Sequence, residues 1–411
     1  MGYITLFFCV LFSVYSYLRL KYVYSPSFLF NLLFLIITSL SLTQYDSAPI
    51  PKDYIYFIVL LGVLSYNVGC ELALKIKQIV SSYENISKKK YRILIFISLV
   101  MSYFPIHTSI DIIIKGGNLL SIYQERIKAV YVDGVMDTSS MESQIINFIS
   151  LPLCVLCIYT SLALFIRYSH FKYFVISIIF ILIFTLSTAG RMTAVSFLLV
   201  FVIAFYTKNK SNILYFLKNR KNILLIIIII LITFKVLSSR NTDIFKTINT
   251  YYGYPLIHMQ IKLEMLDKNI MTYGLTSLQG ILRPIILVLH FIGINDLSLF
   301  DYATSTQYLA NSAVFIGYNH NAYNTFVTLF YYFFIDFGYL GVCIFSMIFG
   351  YICGRSFKLW KLTNKIYYEI QYYIILSSPI LFSMVRFQFI NATYLYPLIL
   401  LPFIMKKEKN N

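Results

Sequence analysis

Long apolar runs separated by short polar or basic stretches make up nearly the whole chain. A helix needs about 20 mostly apolar residues to cross the hydrocarbon core of a bilayer. Runs of that kind cover residues 2–18, 27–43, 53–73, 92–114, 144–166, 171–187, 192–207 and 222–238. After a long gap come 322–335, 339–353, 369–385 and 389–405. The pattern predicts an all-α fold, a polytopic integral membrane protein with about 12 (11–13) transmembrane helices and one large external loop containing short helices. It divides the chain into an eight-helix membrane region (1–238), the large external loop (239–321), C-terminal membrane helices (322–405) and a basic tail (406–411).

Charge orients these runs, because basic residues gather in cytoplasmic loops. Arg19 and Lys21 put the first connection inside and the N-terminus outside. Segment 75–92, Arg167 with Lys172, and segment 208–221 are basic and also inside. The alternate loops are neutral or carry Asp46, Asp53, Glu125, Asp133, Asp137 and Glu142. Two external segments stand out, 115–143 and the longer 239–321. Loops of such length are usually functional. In the longer one, 252–267 has helical apolar spacing, and 281–292 is apolar over only half a span, which suits a re-entrant or interfacial piece.

The last third conflicts with the charge rule. Four spans after an external loop leave the C-terminus outside. Yet Arg355, Lys358, Lys361, Lys365 and the Lys406-Lys407-Lys409 tail belong inside. A thirteenth crossing at 275–297 would bring both basic regions in, but it would carry Arg283, Pro284 and His290 through the membrane and put His320 inside. A re-entrant segment keeps His320 outside and leaves the tail unexplained. The expectation adopted is the re-entrant one.

Composition agrees with a lipid solvent. Of 411 residues, 59% are hydrophobic and 12% charged, against about 25% charged in soluble domains. Membrane lipids are therefore expected partners. The net charge of +17 does not point to nucleic acid, because the basic runs flank apolar spans instead of forming one footprint. The six cysteines all lie in apolar stretches. Cys154 and Cys157 form a C-x-x-C without a nearby His or Cys partner and read as packing residues. The first run lacks a basic leader and a small-residue cleavage site, and reads as a retained helix.

Charges in or beside membrane spans are costly and mark function by default. Arg191 caps a short external turn, Arg240 follows the eighth run, Arg283 sits in the short apolar segment and Arg386 ends the eleventh run. Each one singly could snorkel to the headgroups. Together they favour an anion site, since the planar guanidinium grips phosphate with a fork of donors. His320 lies in a polar, aromatic knot with Asn321 and Tyr323. It is a candidate base or donor, with an interfacial or cap-neighbour role as the alternative. Asp336 in Asp336-Phe337-Gly338 caps the following helix, binds a cation or proton, or pairs with an arginine. Tyr252 opens the helical piece of the external loop. The chain has no HExxH, phosphate loop or clustered Asp-x-Asp, so neither a metal nor a cofactor is expected.

The pattern resembles the bacterial O-antigen polymerases, the Wzy-type oligosaccharide repeat-unit polymerases. The likeness rests on Ser187-Thr188-Ala189-Gly190-Arg191 at a span end, Arg240 opening a large external loop, and Tyr273-Gly274 before a short apolar segment. It continues with Asn319-His320-Asn321-Ala322-Tyr323, then Asp336-Phe337-Gly338-Tyr339-Leu340-Gly341 and Gly350. It covers about 187–386, with hydropathy alone before that. The resemblance implies an inner-membrane, metal-independent glycosyltransferase working at the periplasmic face. Its donor and acceptor would both be undecaprenyl-diphosphate-linked oligosaccharides, and a chain-length regulator stays open as a partner. It implies that Arg191 and Arg240 hold the donor diphosphate, with Arg283 and Arg386 as secondary candidates. His320 would activate the acceptor hydroxyl, Asn321 and Tyr323 would place sugar, and Tyr252 and Asp336 fall in the same substrate region. A lipid-linked oligosaccharide flippase and an O-antigen ligase are the rival functions.

Overall fold

The computed structural model describes residues 1–44, 48–77, 80–116, 144–188, 192–208, 244–266, 271–293, 298–316, 321–323 and 326–407. In chain order the elements are α1 (Gly2–Leu20), α2 (Pro26–Ser41), α3 (Asp53–Lys75), β1 (Tyr83–Ile86), α4 (Lys88–Met101) and α5 (Tyr103–Ile114). Then follow α6 (Leu151–Tyr168), α7 (Phe171–Thr188), α8 (Met192–Lys208), α9 (Ile244–Gly253), α10 (Pro255–Glu264), α11 (Gln279–Phe291) and α12 (Ser298–Asn311). The rest are β2 (Val314–Ile316), β3 (Asn321–Tyr323), α13 (Thr328–Thr363), α14 (Ile366–Ile375), α15 (Ala392–Ile404) and β4 (Met405–Lys407). Among the described residues, five helices are long and apolar enough to cross a membrane: Gly2–Leu20, Asp53–Lys75, Ile146–Tyr168, Phe171–Thr188 and Thr328–Thr363. The expected span at 222–238 lies outside the described residues.

The chain divides into two compact units. The first holds Met1–Ser81, Asp243–Asn364 and Ser378–Leu395. α1 turns an apolar face outward through Tyr3, Phe7, Val10, Val14 and Leu18. Inside, the Asn31 and Asn67 amides bond each other reciprocally at 3.0 and 2.8 Å, and Asn31 also donates to Ser16. Such polar pairs hold apolar helices together where burial alone gives no preference.

α13 is two helices. Phe337 (φ −147°, ψ 25°) and Gly338 (φ 60°, ψ −142°) leave helical geometry. In a straight helix residues 333 and 345 would stand about 18 Å apart. The Phe333 and Phe345 rings instead stack with centroids 5.5 Å apart. The chain therefore reverses at the Asp336-Phe337-Gly338 turn, as the sequence predicts, into α13a (328–336) and α13b (339–363). The first arm is shorter than expected. The predicted 322–335 span starts only at Thr328, because Asn321–Tyr323 pairs as a strand with Val314–Ile316.

α13b runs parallel to α3. Phe57 meets Tyr339, Cys70 Sγ donates to the Gly350 carbonyl, and Lys358 Nζ donates to the carbonyls of Leu74 and Ile76 at 2.7 and 2.9 Å. The helices touch backbone to backbone: a Cβ on Gly350 would come 2.1 Å from the Tyr66 carbonyl oxygen. Arg19 pairs with Glu71 at this end of α3, and Lys361 lies over the Trp360 ring at 3.7 Å and the Tyr24 ring at 4.6 Å. The basic end of α13b thus shares one end of this unit with the basic first connection.

At the opposite end sit α9 and α10; α10 falls within the helix expected over 252–267, and α9 lies almost wholly before it. Pro255 restarts the helix where a missing N–H costs nothing. Gly253 lies on the Leu40 carbonyl, and Lys52 donates its N–H to Gln260 and its ammonium to Glu264. α11 has 13 residues, about 20 Å of helix against a core of about 30 Å. It presents Ile281, Ile285, Val288 and Ile292 outward.

The second unit holds Ser82–Thr242, Lys365–Ser377 and Tyr396–Asn411. α6 is its centre and is buried nearly all round, the pattern of a core helix. Cys154 and Cys157 pack on the Ser102 and Ser98 hydroxyls. The expected span 92–114 is two helices broken at Ser102, just ahead of Pro105. Buried Glu369 on α14 joins Arg167 and the Tyr373 hydroxyl at 3.2 and 2.9 Å. β1 pairs antiparallel with β4, Tyr83 opposite Lys407 and Asn85 opposite Lys406. The Tyr367 ring also lies on Tyr83, centroids 5.1 Å apart. The start of α14 and the end of α15 therefore meet at one strand, so residues 366–407 go out and come back. The expected spans 369–385 and 389–405 are instead two shorter legs, the first ending in a π turn at Leu376–Ile380.

Candidate functional site

The chemistry-bearing residues of the first unit gather around the half-length helix α13a. Its first N–H groups would be orphans. Here Val327, Thr328 and Leu329 donate to the carbonyls of Val385, Met384 and Ser383 at 3.1, 3.0 and 2.8 Å. The acceptors belong to the irregular segment 381–391, which follows Pro379 in the π turn. Irregular backbone inside an apolar chain is tolerated where protein covers it, and Ser383, Met384, Val385, Gln388, Phe389 and Ile390 are all buried.

Arg386 comes directly after Val385 and is half-buried. It stands at the positive end of the α13a dipole, and its charge acts on the buried Tyr332 hydroxyl. Phe387 beside it packs on Phe333 and Phe349, centroids 4.8 and 5.6 Å apart. Phe349 in turn lies on Tyr66 at the middle of α3. The Arg386 segment therefore sits at mid-depth of the helices that flank it.

Arg283 arrives from the neighbouring element. α11 approaches the Gln388–Ile390 turn so closely that a Cβ on Gly280 would lie 2.2 Å from the Phe389 carbonyl oxygen. Arg283 is one helical turn on from Gly280, on the same face, and is half-buried. Among the described residues neither Arg283 nor Arg386 has an ion-pair partner. Arg283 and Arg386 are thus half-buried cations on two adjoining elements, and a guanidinium is the side chain whose planar fork of donors matches phosphate.

Asp336 anchors the other end of α13a. It is fully buried, and its carboxylate accepts from the Thr272 hydroxyl at 2.5 Å and from the N–H groups of Thr276 and Ser277 at 3.0 and 2.9 Å. The Thr272 and Tyr273 N–H groups donate to the carbonyls of Ile335 and Asp336. Of the three readings open to Asp336, capping is the one with hydrogen bonds to match. The capped segment is the turn that leads into α11, not the start of α13b. α13a thus holds one arginine-bearing segment at each end, Arg386 through 383–385 and Arg283 through Asp336.

α10 seats on the start of α13a, where the Thr328 hydroxyl also meets Met259. His258 is fully buried, with Nδ1 3.1 Å from the Phe326 carbonyl. Burial pushes this imidazole down to about 4, against the pull of hydrogen bonds to the Phe326 and Ser312 backbone, so it is neutral at pH 7. Lys262, also buried, donates to Ser312 at 2.5 Å and ties α10 to the end of α12. Ile316 packs with Ala48, Tyr254 and Ile257, and across the hairpin from it lies Asn321, with Tyr323 opposite Val314. Tyr252 is half-buried on α9, and burial raises its phenol.

Of the residues expected from the sequence, Arg283, Arg386 and Asp336 come together around α13a. Tyr252 lies on α9, and Asn321 and Tyr323 lie on the β2–β3 hairpin. Arg191, Arg240 and His320 lie outside the described residues. The sequence reading did not single out His258, Lys262, Thr272 or Gly280. An apolar-spacing argument assigns α10 one buried face, whereas residues from Pro255 through Gln260 are buried in succession. Pro-rich, short, polar-tinged helices beside a long loop were the available signal. Comparison with family models, curated proteins and solved structures finds no match to this chain.

Proposed function

We propose that this chain is an inner-membrane glycosyltransferase of the Wzy type, which joins undecaprenyl-diphosphate-linked oligosaccharide repeat units at the periplasmic face. The observation that carries the reading is that Arg283 and Arg386, without an ion-pair partner among the described residues, lie on two elements that adjoin where Gly280 packs on the Phe389 carbonyl. A lipid diphosphate, leaving when the sugar's anomeric carbon is taken by an acceptor hydroxyl, is the anion that such a pair fits. The anomeric C–O bond to the diphosphate breaks, the new glycosidic bond forms, and the hydroxyl proton passes to a base, for which His320 is the candidate. Positioning and charge stabilisation of the departing diphosphate supply the catalysis.

The reading includes a topology. α13a enters from outside and returns, and the α14–α15 legs enter from inside and return. Counting the run expected from the sequence at 222–238, which lies outside the described residues, nine segments then cross: α1, α2, α3, 88–114, 144–168, α7, α8, 222–238 and α13b. The external helices stay outside, while residues 355–365 and the tail fall inside with the other basic loops. The conflict in the last third then disappears without a thirteenth crossing.

The test is the surface-glycan ladder of a deletion strain. A polymerase mutant displays single repeat units and loses every longer rung, restored by the gene. Absence of all surface glycan would favour a flippase, and polymer retained on the carrier lipid a ligase. Either result overturns the proposal.

A further inference from the structure

The second unit carries a basic cavity that the proposed reaction does not use. α4 opens with Lys88-Lys89-Lys90, and its first turn has no acidic residue to offset them. The β1–β4 pair fixes Lys406 and Lys407, both exposed, beside that turn. Lys90 Nζ reaches toward the Met405 carbonyl at 3.5 Å, and the Ser87 N–H donates to Ile404. Between them opens a cavity of about 480 Å³. Lys90, Lys406, Lys407 and Ser87 line its polar side, and Pro402 and Phe403 its apolar side. Among the described residues no carboxylate lines it. Phe403 is 68% exposed, on a helix that is otherwise apolar.

Three lysines line one space, and their like charges repel one another unless an anion sits near them. The exposed Phe403 ring next to them offers an apolar surface on which an acyl chain could lie. One molecule suits both features: a phosphate-bearing headgroup with acyl chains attached. Basic pockets at the cytoplasmic ends of membrane helices take anionic lipid headgroups in this way. We infer that this cavity binds the headgroup of an anionic phospholipid, the phosphate between Lys90, Lys406 and Lys407 and the chains along Phe403. The proposed topology puts the site in the cytoplasmic leaflet. The binding itself does not depend on the glycan chemistry.

The experiment is native mass spectrometry of the full chain purified in detergent, delipidated, then given dioleoyl phosphatidylglycerol or dioleoyl phosphatidylcholine. Wild type should retain severalfold more phosphatidylglycerol than phosphatidylcholine. The triple variant Lys90→Gln, Lys406→Gln, Lys407→Gln should lose that preference, and the matching triple Lys→Arg variant, which controls for folding, should keep it. Equal retention of the two lipids by wild type overturns the inference, as does an undiminished preference in the Gln variant. Complete displacement of the lipid by millimolar inorganic phosphate would mark a free-anion site and overturn it too. A strain with an unchanged glycan ladder would sink the proposed reaction and leave this result standing.

Discussion

Lys407 lies opposite Tyr83 in the antiparallel pair of β1 and β4. Tyr83 belongs to a strongly basic connection, so the tail and that connection share a side. Residues 252 and 320 belong to the opposite side in the proposed topology. Cys substituted at position 252 or 320 should react with a membrane-impermeant maleimide in intact cells. Cys at 407 should react only after lysis. Labelling of 407 in intact cells would reverse the assignment of the last third.

The Asp336 carboxylate has three donors and no solvent. Asp336→Ala leaves two backbone N–H groups buried without an acceptor, a loss of about 3 kcal/mol. Asp336→Asn keeps one acceptor oxygen and should cost less. Thermal unfolding of the purified variants should rank wild type above Asn above Ala. Because α11 hangs from these bonds, chain-length distribution should shorten in the same order. Full polymerisation by a destabilised Asp336→Ala would show that the turn does not position Arg283.

How much of this was legible in the sequence follows from what apolar patterning can encode. It locates α1, α2, α3, α7 and α8, because each is one uninterrupted apolar run of helix length. It also finds the reversal at Gly338, whose φ of 60° is a backbone state that glycine reaches freely. It overestimates 322–335, 369–385 and 389–405. Hydropathy counts apolar residues whether or not one helix runs through them, and what bounds these helices is long-range: Phe333 on Phe345 and Val327 to Val385. Arg283 and Arg386 could be singled out by their cost in an apolar setting. That their two elements adjoin could not, because it depends on Gly280 meeting a turn more than a hundred residues away.

Gly350 and Gly354 face α3 at different clearances. A Cβ at 350 would meet the Tyr66 carbonyl oxygen at 2.1 Å, while at 354 the nearest atom, the Cys70 Cα, lies at 3.0 Å. Gly350→Ala must push the two helices apart, an overpacking cost of about 1–3 kcal/mol. Gly354→Ala should be milder. Melting temperatures of the two variants in the same detergent check the order, and equal values would contradict the close contact at 350.

His258 is held neutral, its pKa pushed from 6.5 to about 4, chiefly by burial. The folded imidazole binds fewer protons than the unfolded one between those values. Stability is therefore complete above pH 6.5 and falls as pH drops toward 4, by about 3 kcal/mol at most. His258→Gln removes the titration. The melting temperature of the variant should change less between pH 7.5 and 5 than that of wild type, though it starts lower for the lost bond to Phe326. An unchanged pH dependence would mean that another group titrates.

Arg386 and Arg283 should contribute to turnover as a fork of donors, not as charge alone. Arg386→Lys keeps the charge but loses bidentate geometry. If the anion is gripped by both groups, Arg386→Lys should shorten glycan chains and Arg386→Ala should abolish them, each at wild-type expression. Arg283→Ala added to Arg386→Ala should then cost little more, because the two act on one ligand and their effects are not additive. Binding of a soluble prenyl diphosphate to the purified protein, followed by isothermal titration, separates this from a folding defect. A variant that melts like wild type, binds the diphosphate normally and still makes long chains would remove Arg386 from the site.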